Sequence, residues 1–573
     1  MCFVLLKKGA NPQQLRGALD NVLKKHLSKE DASHFAFQFF PLADLNHERS
    51  GMAPRPVLYA LMAVGILLVF ASCINYINLA TAQAMRRALE VGVRKVVGGS
   101  RFQLLKHFLF ETALLTIAAV FVALLLTQLA MPVVNQTLNN QDPTLHTDIS
   151  VLQLLRPNAL LWFASLIAAV ILLAGLYPSW VMSGFDPKKA IAGQLTRAVR
   201  GFTMRRTLIV GQFLLAQLFL IVVLVITAQL RHMQRVDWGF SHKNKQVVWL
   251  PQQDVPRDLL RESWLQLPGV ESVSFASDPP ASPYSGPSSF SYNTATQPEP
   301  FETRVRAVDE NYLSTFGLSL VAGRNFNVAD TTGSEVVVNE TLVRQLGVAP
   351  AGSVVGKRLR IQDADRIIVG VVKDFRVVDL HQPILPATLI HDPKHTTMAI
   401  LTFTPNVTSQ TQKAVRKVWD TTLPDQLYKV DNVDDLLNSF TKMERLLAGF
   451  VQIFAFIAVA MSCLGLYGLV TFMAENRAKE IGMRRILGAR TGQLLWVFGR
   501  EFSRLMLIGF VVAAPLGWWI TNMWLRQYAH RIEMSGWLVF GALGLMAIIT
   551  ALTVLGHALK AAIANPVRYL RAQ

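Results

Sequence analysis

Residues 88–111 read ALEVGVRKVVGGSRFQLLKHFLFE, and residues 478–501 read AKEIGMRRILGARTGQLLWVFGRE. The strings align without a gap at a shift of about 390 residues, far longer than a solenoid period, so a whole structural unit occurs twice. Glu90/Glu480, Gly92/Gly482, Arg94/Arg484, Gly98/Gly488, Gln103/Gln493 and Glu111/Glu501 are identical pairs. Each copy predicts a short amphipathic helix. Val91, Val93, Val96 and Val97 oppose Arg94 and Lys95 in the first; Ile481, Met483, Ile486 and Leu487 oppose Arg484 and Arg485 in the second. Gly98 and Gly488 stand where a helix C-cap takes a left-handed residue. One basic amphipathic helix by itself lies on anionic lipid. Two copies with matching glycines and glutamates fit docking to two equivalent sites on a symmetric partner.

Each copy lies between long apolar runs. Of 573 residues, 51% are hydrophobic and 16% charged, against about 25% charged in soluble domains, which points to a membrane protein. Seven runs reach the ~20 residues needed to cross a bilayer: 57–79, 108–129, 160–182, 208–230, 447–472, 502–524 and 537–559. The net charge of +18 sits mostly in loops between these runs, which makes it a topology signal and not a nucleic-acid footprint. Arg86–Lys106, Lys188–Arg206, Arg477–Arg490 and the tail from Lys560 fall on one side by alternation, and that side is predicted to be cytoplasmic. The mildly basic loop from Arg526 to Glu533 falls on the other.

This topology places Met1 outside with no apolar signal to take it there. The order of a strand, a helix from Asn11-Pro12 and a second strand in residues 2–56 recurs at MAILTF, 412–419 and QLYKV. The first copy is therefore expected to be longer in nature, by one span and most of a domain, roughly 200 residues. Residues 231–446 form one large outer domain of α+β character, with strands at EVVVN, RIIVGVV, ATLI and AILTF and a helix from Glu340 to Leu346. DPPASPYSGPSSFSYNTATQPEP, residues 278–300, reads as an exposed loop.

Catalytic patterns are missing from the sequence. Cys2, Cys73 and Cys463 have no metal or disulfide spacing. Gly352-Ser-Val-Val-Gly356-Lys357-Arg358 is one residue short of a phosphate-binding loop and has Arg where Ser or Thr must hold Mg²⁺, so it reads as a turn before a strand. His391 and His395 in HDPKH read as a surface loop. Glu111 and Glu501 stand near the cytoplasmic start of a span, where pairing with the basic loops is favoured over a proton relay. Asn75 and Asn78 are expected to hydrogen-bond a neighbouring helix.

INYINLATAQAMRRALEVGVRKVVGGSR and GLYGLVTFMAENRAKEIGMRRILGAR resemble the FtsX-like permease domain of ABC transporters. VRAVDENYLSTFGLSLVAGRNF, EVVVNETLVRQLG, VVGKRLRI and IIVGVVKDFRVVDLHQPILP resemble the MacB-like periplasmic core domain, and FDPKKAIAG and IANPVRYLRA fit the close of each half. The resemblance covers nearly the whole chain. It implies an α-helical membrane protein with seven transmembrane helices plus an α+β periplasmic domain. The divisions are 1–56, the remnant of a first periplasmic domain; 57–195, a first permease domain; 196–230, a linking span; 231–446, the periplasmic core; and 447–573, a second permease domain.

The resemblance also implies a mechanism. Residues 89–97 and 479–487 would be coupling helices seated on a separate ATPase, with Glu90, Gly92, Arg94, Lys95, Gly98, Glu480, Gly482, Arg484, Arg485 and Gly488 at the contact. ATP and Mg²⁺ would belong to that partner, a dimer, and this chain would hold no cofactor and be no enzyme. Further partners implied are membrane lipid and a periplasmic adaptor or outer-membrane protein; the site is the inner membrane. The expected function is the permease subunit of an exporter, the alternative a transmitter that regulates an extracytoplasmic cell-wall hydrolase.

Overall fold

The computed structural model describes residues 55–139, 149–184, 201–476 and 491–563, less 252–254, 283–285, 296, 329, 331–332 and 406–407, together with residues 5, 7, 22, 25 and 483. The strands and helix expected in 2–56 lie outside the described residues. The chain divides into two compact units, 1–74 and 75–573.

Helices come first: α1 (Arg55–Arg86), α2 (Ala88–Val96), α3 (Arg101–Asn139), α4 (Pro157–Ser183) and α5 (Gly201–Gln234). A mixed domain follows, with β1 (Lys245–Trp249), α6 (Arg257–Leu265), β2 (Val270–Ala276), β3 (Pro287–Ser288), β4 (Phe290–Tyr292), β5 (Thr303–Val308), α7 (Tyr312–Phe316), β6 (Leu320–Gly323), β7 (Glu335–Asn339), α8 (Glu340–Gln345), β8 (Arg358–Ile361), β9 (Ala364–Val372), β10 (Ala387–His391), β11 (Met398–Phe403), α9 (Ser409–Thr422), β12 (Val430–Asn432) and α10 (Val433–Ser439). Three long helices close the described chain: α11 (Lys442–Asn476), α12 (Thr491–Leu525) and α13 (Gly536–Ile563). Among the described residues, α1, α3, α4, α5, α11, α12 and α13 are long and apolar enough to cross a membrane, at the seven expected places.

α5 is the most buried of the seven. Ile209, Phe213, Ala216, Ile221 and Val225 of α5 form one core with Leu466 of α11, Phe502, Leu505 and Met506 of α12, and Ala542 and Met546 of α13. α3 and α4 pack mainly on each other.

The sheet runs β12-β1-β11-β2-β5-β10-β7-β9-β8-β4, with β3 beside β5 and β6 beside β9. β5–β10 and β7–β9 are parallel; the other pairs are antiparallel. Its central strands are near-continuous apolar runs because both faces are covered. In β11, Met398 and Ile400 face one core, and Ala399, Leu401 and Phe403 face the other, against Trp264 of α6 and Trp419 of α9. β2 and β5 share a single Cα pair, Ala276–Val308. The Asp309 side chain reinforces that seam, accepting from Ser274 Oγ at 2.6 Å, Phe275 N–H at 2.8 Å and Arg261 Nη2 at 2.6 Å. Burial pushes its carboxyl up to about 6, and those donors pull the other way.

Several expectations change. Residues 278–300 are no free loop: they hold β3 and β4, and Asp278, Ser282 and Phe290 are buried, with Ser282 Oγ donating to Asp278 at 2.9 Å. His391 is not on a surface loop. It lies buried in β10, stacked on Phe326, with Nδ1 2.7 Å from the Asp330 carbonyl. QLYKV is mostly irregular, and its strand starts only at Val430.

Replacing Asp309 by alanine strands the Phe275 amide and Ser274 and leaves Arg261 with Glu310. We expect a loss of about 1–3 kcal/mol, read as a lower denaturation midpoint with hydrogen exchange accelerating first at β2 and β5.

Candidate functional site

Two places on the chain tie separate elements together through named polar contacts. The first is the turn from α1 into α2. Only Arg87 separates the helices, and its Nη1 donates to both oxygens of Glu111 in α3, at 2.8 and 2.9 Å. Such a charge-assisted pair fixes the angle of entry into α2. Within α2, Glu90 and Arg94 pair at 2.8 Å one turn apart, a contact worth a few tenths of a kcal/mol on an exposed face. Val91 is buried, whereas Val93, Val96, Val97 and Arg94 are exposed. Gly98 ends the helix at φ +101°, and its N–H and that of Gly99 return to the carbonyls of Lys95 (3.1 Å) and Arg94 (2.9 Å). A side chain at 98 would strain that cap. α3 then starts with a reciprocal cap, Ser100 N–H to Gln103 Oε1 at 3.0 Å and Gln103 N–H to Ser100 Oγ at 3.2 Å. Arg101 Nε reaches the Ser183 carbonyl at the end of α4 (3.1 Å).

Glu90, Gly92, Arg94 and Lys95 thus stand on one short helix, with Gly98 in the turn that ends it. Glu480, Gly482, Arg484, Arg485 and Gly488 lie outside the described residues. Both repeated glutamates are paired, as expected, but differently: Glu501 takes Arg206 of α5. Among the described residues no three His, Cys, Asp or Glu side chains converge on a metal position.

The second place joins the membrane helices to the sheet domain, and no sequence pattern pointed to it. α5 leaves the bundle through Trp238 and Gly239. The Trp238 carbonyl accepts from Arg376 N–H at 2.9 Å. Gly239, at φ +76°, lies so close to the next chain that a Cβ would sit 2.8 Å from the Asp374 oxygen and 2.9 Å from Phe375 Cα. Residues 374–381 therefore rest directly on the exit of α5. Leu380 is buried with Met233 of α5 and Tyr528 of the α12–α13 loop.

His381 is the hub of this joint. Its ring stacks on Tyr528 at 4.7 Å. Its Nε2 is 3.1 Å from Glu444 Oε1 in the first turn of α11, and its carbonyl accepts from Ala529 N–H at 3.1 Å. Tyr528 Oη donates to the same Glu444 oxygen at 3.3 Å. Gln229 of α5 binds the loop at both ends of its amide, donating to the His530 carbonyl and accepting from Ile532 N–H, each at 2.9 Å. The hydrogen bond to Glu444 raises the His381 pKa above the ordinary imidazole value, and burial pushes the Tyr528 phenol up so that it stays a donor.

Strings noted in the sequence now have physical roles. In VNETLV, Asn339 caps α8 by accepting from Leu342 N–H (3.1 Å) and holds β10 through Ala387 N–H (2.9 Å). In VKDF, Asp374 accepts from Thr341 N–H (2.7 Å), and its own N–H returns to Glu340 (3.0 Å). DLHQP carries His381.

Comparison with known proteins agrees with this architecture. The FtsX-like permease C-terminal family model matches residues 62–187 and 452–566, and the MacB-like periplasmic core domain model matches 209–418. An uncharacterized ABC transporter permease, YknZ of Bacillus subtilis, is 23% identical over 233 residues, 38% of this chain and 57% of its own length. The macrolide export ATP-binding/permease protein MacB of Escherichia coli K12 is 23% identical over 264 residues, 44% of this chain and 39% of its own. The chain thus spans between about two fifths and three fifths of these curated relatives. The crystal structure of the periplasmic region of MacB from Actinobacillus actinomycetemcomitans aligns at TM-score 0.27 and 12% identity, over 35% of this chain and 94% of that one.

A raised native pKa makes the His381–Glu444 contribution complete below about pH 6.5 and lost as pH climbs through the native value. Hydrogen-exchange protection of residues 374–381 and 526–532, corrected for intrinsic rates, should fall between pH 6.5 and 8.5. In His381→Gln it should be flat. A pH-independent wild type would exclude the imidazolium–carboxylate link.

Proposed function

The chain belongs to the ABC transporter permeases of FtsX-like and MacB-like type, and from that premise we propose that it transmits force from a separate ATPase dimer to its sheet domain to drive export across the inner membrane. The observation that carries this reading is α2, a short helix whose Val93, Val96, Val97 and Arg94 are exposed among the described residues. Such a mixed apolar and basic face suits an acidic docking groove, and its duplication suits a two-fold partner. ATP and Mg²⁺ would be held by that partner, and lipid headgroups would flank the contact.

The chain's own part is mechanical. As the two coupling segments close, the Arg87–Glu111 clamp passes the displacement of α2 to α3. In the second half, the Arg206–Glu501 pair ties α12 to α5. α5 runs unbroken to Gln234, a short irregular segment leads on to Gly239, and the joint at His381 would hand its motion to the sheet domain. Cargo would be handled on the outer side, by the domain that moves.

Arg94→Glu with Arg484→Glu should abolish co-purification of the proposed ATPase partner with this chain and the stimulation of that ATPase by this chain. Retention of both would overturn the docking assignment. ATPase stimulation by a cell-wall hydrolase bound to the sheet domain, without export, would favour the transmitter reading instead.

A further inference from the structure

Asn75 in α1 and Gly465 in α11 occupy the same position of the duplicated unit, as do Asn78 and Gly468; Cys73 and Cys463 keep the same phase two residues earlier. The structure brings the first of these pairs together. A Cβ built on buried Gly465 would stand 3.3 Å from Asn75 Oδ1 and 3.2 Å from Cδ of Gln212 in α5, with Gln212 Oε1 closer still. At Gly468 the same construction meets Leu79 Cδ1 at 3.5 Å. A residue that meets its own counterpart lies at the seam between the two copies. Identical side chains there would face themselves, and this chain has unlike ones.

The missing side chain at 465 is replaced from elsewhere. The Gln212 amide fills its space, and α5 is pinned there by Ser462 Oγ donating to the Gln212 carbonyl at 3.2 Å. A carboxamide thus faces the contact from each half, one from residue 75 and one from α5. Gln212 is 2% exposed, and neither of its amide atoms has a hydrogen-bond partner; the same holds for Asn78. Unpaired amides in hydrocarbon are costly. A half-turn about the last Gln212 bond exchanges Oε1 and Nε2 and turns a donor toward Asn75 Oδ1.

We propose that the Asn75 and Gln212 carboxamides close over the Gly465 notch and form the membrane-embedded contact that joins the two halves of this chain. Glycine at 465 makes the contact specific for one copy of each half. A side chain at 465 expels Gln212, and glycine at both positions leaves Gln212 without a facing amide. The inference rests on the duplication and does not depend on ATPase docking.

The test uses the full chain in lipid nanodiscs with Cys2, Cys73 and Cys463 changed to serine. Asn75→Cys with Gln212→Cys should be joined within one chain by a short bifunctional thiol cross-linker. In an Asn75→Leu, Gln212→Leu double-mutant cycle, the two changes should be non-additive by about threefold in the unfolding constant, the size of an average interhelical side-chain hydrogen bond. Gly465→Ala should destabilise, and Gln212→Ala should suppress that effect. Cross-linking between chains rather than within one, additivity in the cycle, or a neutral Gly465→Ala would each overturn the proposal.

Discussion

Glu444 is a buried carboxylate in the first turn of a membrane helix, and it cannot be left without partners. His381 from the sheet domain and Tyr528 from the α12–α13 loop both reach its Oε1. The three groups come from chain segments far apart, so the carboxylate's need for donors holds a soluble domain to a helical bundle at a fixed angle. Without that link, α5 and α11 would enter the sheet domain as two tethers. With it, they form one lever with residues 374–381.

Much of this architecture was legible beforehand because it follows from local rules. The seven spans are continuous apolar stretches, and a bilayer admits little else. β7, β9, β10 and β11 announced themselves as β-branched runs, and their lack of alternation reflects two covered faces. Gly98 was readable as a cap from its place after a short periodic segment. The joint was not, because Glu444, His381 and Tyr528 lie far apart in the chain and belong to no pattern until folding brings them within hydrogen-bond distance. His391 and residues 278–300 misled for a related reason. Pro, Ser and His are typical of exposed turns, but here a neighbouring strand or a carboxylate satisfies their polar atoms and allows burial.

The duplication shows how one residue can serve different partners. Glu111 and Glu501 hold the same position of the repeat, yet one is clamped by the arginine preceding α2 and the other by an arginine on α5. The carboxylate is the fixed requirement, and the donor is whichever cation the local packing delivers. The same holds deeper in the membrane, where an amide stands on either side of Gly465, although only one of the two belongs to the residue at that position.

The seam between β2 and β5 gives the sheet a direction of weakness. Strands on either side are zipped to their neighbours over five or six residues, whereas Ala276 and Val308 meet alone. α5 and α11 attach to the β1–β12 side, and His381 follows β9 on the other. A twist delivered by the helices therefore loads the two leaves unequally. It should crease the sheet along that line, like a cover bending at its spine, before it bends either leaf.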